Sequence, residues 1–266
     1  MTTLELVPCQ ENVLGFPVSA LPFEAQIDLI FDWAREHSSR FVCVSNVHML
    51  MEARWNEPFS KVLLNADLIT PDGMPLVWML NLIRGYCHDR VAGMDIFLAV
   101  CQRASAEKVP IFFLGTDAST LDLMRQRLQR EFPNLEIADM QPLPFRPLTE
   151  QEDREIIQQI NDSGAGILFL ALGCPKQETW MHQHKGKVQA VMIGLGGVFP
   201  IYAGVLQLAP DWVRESGLEW LFRLTQEPTR LWKRYASTIP PFVFLSLKQL
   251  MTVKVSRVLE YLKPHS

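Results

Sequence analysis

Cysteine is sparse and scattered: five residues in 266 (Cys9, Cys43, Cys87, Cys101 and Cys174), with no Cys-x-x-Cys pair. That pattern argues against a zinc ribbon or a disulfide scaffold and fits thiols kept reduced. Cys174 sits in the central turn of the chain, but no partner histidine is identifiable for a nucleophile's role. No stretch approaches the roughly 18 uninterrupted apolar residues that a membrane-crossing helix requires. The first eleven residues lack the basic start and apolar run of a secretory signal, which points to a cytoplasmic protein. Neither a P-loop nor a Gly-x-Gly-x-x-Gly turn occurs, and Gly194-Leu-Gly-Gly197 is only a weak substitute. His182 and His184 stand one residue apart, so on a helix they diverge, and a zinc pair there is not expected.

What is present is ordinary for a folded α/β protein. Hydrophobic residues make up 48% and charged residues 20%, enough apolar surface for one large core. Net charge is −4, but residues 213–266 carry nine Lys/Arg against four Glu, a balance of +5 that leaves −9 elsewhere. From Trp212, just before that tail, Trp220, Trp232 and Tyr235 alternate with Arg223, Arg230, Lys233 and Arg234. A solvated helix face would explain the charge alone. Interleaved tryptophans fit an anionic membrane surface as partner, and nothing suggests nucleic acid.

The chain is organised around residues 166–180. Five apolar residues from Ile167 to Ala171 read as a strand buried on both faces, the pattern of a parallel sheet. The strand stops at Gly173, Pro175 suits the first turn of a helix, and Lys176, Gln177 and Glu178 gather at the junction. Ligands bind at such carboxyl edges, where free helix N–H groups favour phosphate. A second strand at 190–193 ends in the glycines of residues 194–197, so that Gly173 and Gly196 belong to two turns lining one cleft.

The remaining periodicities predict an N-terminal hairpin or arm over 1–20 and helices over 23–36, 48–55, 75–83, 96–106, 119–132, 150–163 and 177–184. Strands fall at 41–46, 63–69, 110–115 and 135–140, and residues 141–149, with three prolines, form the clearest loop and a candidate boundary. In the tail a helix over 217–226 precedes Pro228 and Pro240-Pro241, which are expected to break the chain into short segments before a final helix over 243–262. The fold class is therefore α/β: a Rossmann-like, mostly parallel sheet flanked by helices, with a helical C-terminal appendage. The core is assigned to 1–212 and the appendage to 213–266.

Several polar residues carry two readings. Asp72 is either a turn residue before Gly73 or a carboxylate fixed at a cleft, able to take a hydroxyl proton. Asn46 either binds ligand or caps the next helix. Arg90 and Asp95 flank a glycine, where they pair with each other or contact ligand. Lys176 and Gln177 either fill a helix start or meet a phosphate and a sugar hydroxyl.

Taken as a set, these segments resemble the WecG/TagA/CpsF family of bacterial glycosyltransferases. The matching runs are Pro71-Asp-Gly-Met74, Arg90-Val-Ala-Gly-Met-Asp95, Phe113-Leu-Gly115, Leu170-Ala-Leu-Gly-Cys-Pro-Lys-Gln-Glu178 and Ile193-Gly-Leu-Gly-Gly197. Gly217-Leu-Glu-Trp-Leu-Phe-Arg-Leu224, Glu227-Pro228 and Arg230-Leu-Trp-Lys-Arg-Tyr235 continue the series, so the likeness runs from about residue 12 to 235. The resemblance implies transfer from a UDP-sugar, typically UDP-N-acetylmannosamine or its uronate, to a polyprenyl-diphosphate-linked sugar. It implies a cytoplasmic, peripheral location at the inner membrane face, with the C-terminal segment completing the site. It places the family's proposed base on Asp72, its asparagine on Asn46 and its glutamine on Gln177. Three positions depart: Val44 where the family has threonine (with Ser45 beside it), Pro200 in place of aspartate, and Leu208 in place of arginine.

The expected chemistry is one inverting displacement, with Asp72 as base and with Arg223, Arg230 and helix N–H groups facing the leaving diphosphate. No Asp-x-Asp, the pair many nucleotide-sugar enzymes use to hold a divalent ion, occurs, so neither metal nor cofactor is expected. Assembly of copies is left open. A nucleotide-dependent oxidoreductase lacks its dinucleotide turn, and a non-catalytic scaffold at the membrane is the main rival.

Overall fold

The computed structural model describes residues 9–85, 87–144 and 146–261. Residues 1–8 of the hairpin or arm expected over 1–20, and Leu262 at the end of the expected final helix, lie outside them. A two-stranded antiparallel hairpin, β1 (Gln10–Val13) and β2 (Phe16–Ser19), opens the chain. Then follow α1 (Phe23–Arg35), β3 (Arg40–Ser45), α2 (Val47–Trp55), α3 (Glu57–Leu64), β4 (Leu68–Pro71), α4 (Met74–Arg84) and α5 (Gly93–Glu107). The second half runs β5 (Ile111–Gly115), α6 (Ala118–Glu131), β6 (Ile137–Gln141), α7 (Glu150–Asp162), β7 (Ile167–Ala171), α8 (Lys176–His184), β8 (Val191–Gly194) and α9 (Val198–Tyr202). Three helices close it: α10 (Asp211–Glu215), α11 (Glu219–Gln226) and α12 (Pro228–Tyr261).

β3 to β8 form one parallel sheet in the order β4-β3-β8-β7-β5-β6. Alternate residues of each strand serve opposite cores, as the period of two requires. Phe41, Cys43, Leu168, Leu170 and Met192 face a core shared with α2, α3, α4, α7 and α8. Val42, Val44, Ile167, Phe169 and Ile193 face another, built with α1, α5, α6 and α9. Burial on both faces explains why the strands read as continuous apolar runs rather than alternating ones. The chain reverses direction of travel across the sheet between β3 and β8, so the loops leaving their carboxyl ends part and leave a crevice.

Two expectations fail. The strand expected over 63–69 begins only at Leu68, as β4, and residues 57–64 form the helix α3 instead: Asn56 accepts a hydrogen bond from the Phe59 N–H, and Phe59, Val62 and Leu63 are buried. Pro240-Pro241 does not break the tail, since both lie inside the 34-residue α12. A helix-interior proline costs about 3 kcal/mol, but tertiary packing outweighs it here. Leu231 and Phe242 are buried, and α12 lies along α2 and α4. Its far half is clamped to the hairpin by Gln249, which accepts from the Leu14 N–H and donates to the Asn12 carbonyl.

Candidate active site

A cavity of about 1040 Å³ opens over the carboxyl ends of β3, β4, β7 and β8. The 141–149 loop, the connection from β6 to α7, lines it through Leu143, Pro144 and Leu148, and α11 and α12 line it as well. Ligand clefts run from about 300 to about 1,000 Å³, so this one stands at the upper end of the range.

Asp72 follows β4 at the cavity wall. Its N–H donates to the Ser45 carbonyl at 2.9 Å, extending the β3–β4 ladder by one bond, and its Oδ1 accepts the Gly93 N–H at 2.9 Å. Gly93 is the first residue of α5, so the carboxylate caps a helix start and its direction is fixed from two sides. Burial and the negative charge of Glu219 push Asp72 up to about 6, against the pull of the Gly93 N–H, Arg90 and Arg223. A carboxylate so raised is a stronger base than an exposed one, yet is ionised at neutral pH.

The two glycine turns meet at Gln177. Its Oε1 accepts from the Gly173 N–H at 3.1 Å and the Gly196 N–H at 3.2 Å, and its Nε2 donates to Glu178 Oε1 at 2.8 Å. Gln177 borders the cavity, but the polar atoms of its side chain are engaged within the protein. Pro175 occupies the residue before α8, which starts at Lys176, rather than its first turn; Lys176 is exposed at the rim. Glu178 is wholly buried behind the turn. Burial pushes it up to about 7, against opposing hydrogen bonds from Gln177 and the Cys174 thiol.

The appendage supplies the cations. Arg223 packs its guanidinium on Gly197, where an added Cβ would lie 3.1 Å from a terminal nitrogen. Arg230, four residues before Arg234 on α12, pairs with Glu227 across one turn. Arg234 is mostly buried, its Nε has no hydrogen-bond partner, and burial lowers its pKa from the ordinary guanidinium value. All three line the cavity. Burial and the charge of Arg234 likewise lower His48, to about 4, so it is neutral at pH 7.

Arg90 and Asp95 do not pair with each other, which corrects the simplest reading of their spacing. Arg90 donates to Glu219 of α11 at 2.7 Å, and Arg214 of α10 donates to Asp95 at 2.8 Å. Each reaches across to the appendage because α5 turns Asp95 away from the loop that carries Arg90. Arg90 faces the cavity; Asp95 lies outside its lining. Asn46 caps α2, accepting from the Met49 N–H, and also borders the cavity. Ser45 is wholly buried on the face of β3 opposite Val44, so it does not replace a cavity hydroxyl there. Pro200 and Leu208 do line the cavity, in an apolar wall with Val198, Ile201, Val205 and Leu206.

Arg214, Glu219 and Arg234 were absent from the sequence-derived candidates. The i,i+4 spacing of Arg230 and Arg234 was the available signal, since it puts both on one helix face. Nothing local marks Arg214 or Glu219.

Residues 11–256 match the model of the glycosyl transferase WecG/TagA/CpsF family. The chain is 33% identical over 214 residues to a protein of Bacillus spizizenii named N-acetylglucosaminyldiphosphoundecaprenol N-acetyl-beta-D-mannosaminyltransferase, covering 80% of each chain. A protein of the same name from Bacillus subtilis is 32% identical over 205 residues, 77% of each chain.

Proposed function

The chain belongs to the WecG/TagA/CpsF family of glycosyl transferases, and on that premise we propose that it moves an N-acetylhexosamine, N-acetylmannosamine first among them, from a UDP-sugar to a polyprenyl-diphosphate-linked sugar in cell-envelope polysaccharide synthesis. The observation that carries the reading is Asp72: a fixed carboxylate raised to about 6, across one cavity from three arginines. Asp72 accepts the proton of the acceptor hydroxyl. The oxygen attacks the anomeric carbon as its bond to the UDP oxygen breaks, inverting that centre. The charge appearing on the diphosphate faces Arg223, Arg230 and Arg234, whose guanidinium groups need no reorganisation to receive it. The scheme requires no metal ion.

The acceptor's lipid calls for a membrane-facing surface, and α12 offers one. Val243, Phe244, Leu247 and Met251 form an exposed apolar stripe opposite the buried Phe242, with exposed Lys248 and Lys254 beside it. Among the described residues no helix is long and apolar enough to cross a membrane. An apolar stripe with lysines suits a helix lying in the interface on anionic lipid, the arrangement of a peripheral protein at the inner face.

The test is a panel of labelled UDP-sugars offered with polyprenyl-diphosphate-linked N-acetylglucosamine. Transfer of an N-acetylhexosamine with inversion supports the reading. Tight UDP binding without transfer from any donor would instead leave a nucleotide-binding scaffold.

A further inference from the structure

The glycines of β8's terminal turn have a use that their phosphate-loop appearance conceals. A Cβ built on Gly194 would stand 2.7 Å from Gln177 Nε2, and one on Gly196 would stand 2.8 Å from Gln177 Oε1. Both distances are shorter than a Cβ contact, so a side chain at either position would have to push the Gln177 amide aside. That amide has a defined direction. On one side it meets two donors, the N–H groups of Gly173 and Gly196, and on the other an acceptor, Glu178 Oε1.

A primary amide accepts at its oxygen and donates at its nitrogen, so only one of its two flips satisfies all three partners. The reversed flip would set NH₂ against two N–H groups and oxygen against a carboxylate. Each such mismatch in a buried place costs about 1–3 kcal/mol. Glu178 Oε2 has no hydrogen-bond partner among the described residues, the neighbouring Cys174 thiol bears on the same carboxyl group, and Glu178 does not line the cavity.

We infer that Glu178 is a positioning residue that acts through Gln177: it orients the amide that ties the Gly173 turn to the Gly196 turn and so sets the shape of the cavity floor. The claim that this shape governs transfer rests on the transferase reading; the hydrogen-bond coupling itself does not. Gln177 is accordingly a brace between two strand ends, with no hydrogen bond left for substrate at its oxygen.

Exchange of the two side chains tests this. In Gln177→Glu, one carboxylate oxygen can still accept the two glycine N–H groups, but the other faces Glu178 and the pair is compatible only while sharing a proton. In the exchanged double variant, Gln177→Glu with Glu178→Gln, the new amide donates to the new carboxylate, with the same atoms in nearly the same volume. The neighbours that bear on this titration are the cation of Arg234 from α12 and the titratable thiols Cys43 of β3 and Cys174 of the turn, both of which burial keeps protonated.

Selective ¹⁵N-glycine labelling gives 14 backbone signals to follow, one per glycine. The Gly173 and Gly196 signals of Gln177→Glu should leave their wild-type positions as pH rises from 6 to about 9 and the shared proton is lost. Those of the exchanged variant should stay in place across that range. Transfer, measured alongside, should fall by about 10²-fold in the single variant at high pH, the scale of a small misplacement in an active site. It should recover most of that loss in the exchanged variant. If Gln177→Glu shows no such titration, or the exchanged variant titrates as it does, Glu178 does not orient Gln177. If the signals behave as expected in a wild-type protein that transfers nothing, the transferase reading fails and the coupling stands.

Discussion

Arg90 donates to Glu219 at 2.7 Å across 129 residues of sequence, joining the loop beside Asp72 to the first turn of α11. The pair does more than hold the appendage. Glu219 raises Asp72 and Arg90 lowers it, so beside the larger effect of burial this ion pair in the cavity lining bears on the basicity of the carboxylate. The second tie, Arg214 to Asp95, spans 119 residues.

Asp72→Asn should lower kcat by roughly 10²–10⁴, the usual contribution of a general base, and leave UDP affinity nearly unchanged. Steady-state transfer rates beside calorimetric UDP titration would check both. Wild-type turnover in the variant would remove Asp72 from the proton transfer.

A base works ionised, so kcat/KM should climb with pH through a limb near 6, the value to which Asp72 is raised. Glu219→Gln removes a negative neighbour, lowers the Asp72 pKa and moves that limb to lower pH. A profile of log kcat/KM from pH 5 to 8 for both proteins reads the shift. A limb that moves upward, or stays in place, contradicts the coupling of the two carboxylates.

Arg234 should behave oppositely in binding and in stability. Among the described residues its buried cation is in no salt bridge and its Nε is unpaired, so Arg234→Met gives up little when the protein is empty and relieves a desolvated charge. Lost charge-assisted contact with the diphosphate should weaken UDP by about 10-fold or more, from a hydrogen bond of about 1.5–3 kcal/mol. Thermal unfolding without ligand and UDP titration together make the comparison. A lower melting temperature with unchanged UDP affinity would assign Arg234 to the fold.

Transfer should persist in EDTA, because the leaving diphosphate is assigned to guanidinium and N–H groups. An assay with and without chelator decides. Activity that vanishes and returns on adding Mg²⁺ or Mn²⁺ would replace the metal-free scheme.

Membrane contact should be separable from folding on the outer face of α12. A chain ending near Trp212 is a poor test, since it removes α12, which lies along α2 and α4 and carries the buried Leu231 and Phe242. Phe244→Ser with Leu247→Ser alters exposed side chains alone. That double variant should keep its melting temperature and lose most of its sedimentation with anionic vesicles. Undiminished sedimentation would place the contact elsewhere.

By itself the sequence determined the parallel sheet, the order of its strands along the chain and the placing of Asp72 at a strand's mouth. Those features rest on short-range signals: an apolar run such as Ile167–Ala171 buries on both faces wherever it pairs, and Pro71-Asp72-Gly73 turns wherever it stands. The two glycine turns were legible as neighbours for the same reason. Their use was not, because whether a bare glycine cradles phosphate or a glutamine amide depends on what the fold sets against it. Only tertiary structure decided the partners of Arg90 and Asp95, since charges six or fewer residues apart in a loop and helix start can face different directions and meet residues more than a hundred positions away. It also kept α12 whole through Pro240-Pro241. The local cost of two prolines is written in the sequence, whereas the burial that outweighs it, Phe242 on α2 and α4 and Gln249 on the hairpin, exists only once the chain has closed on itself.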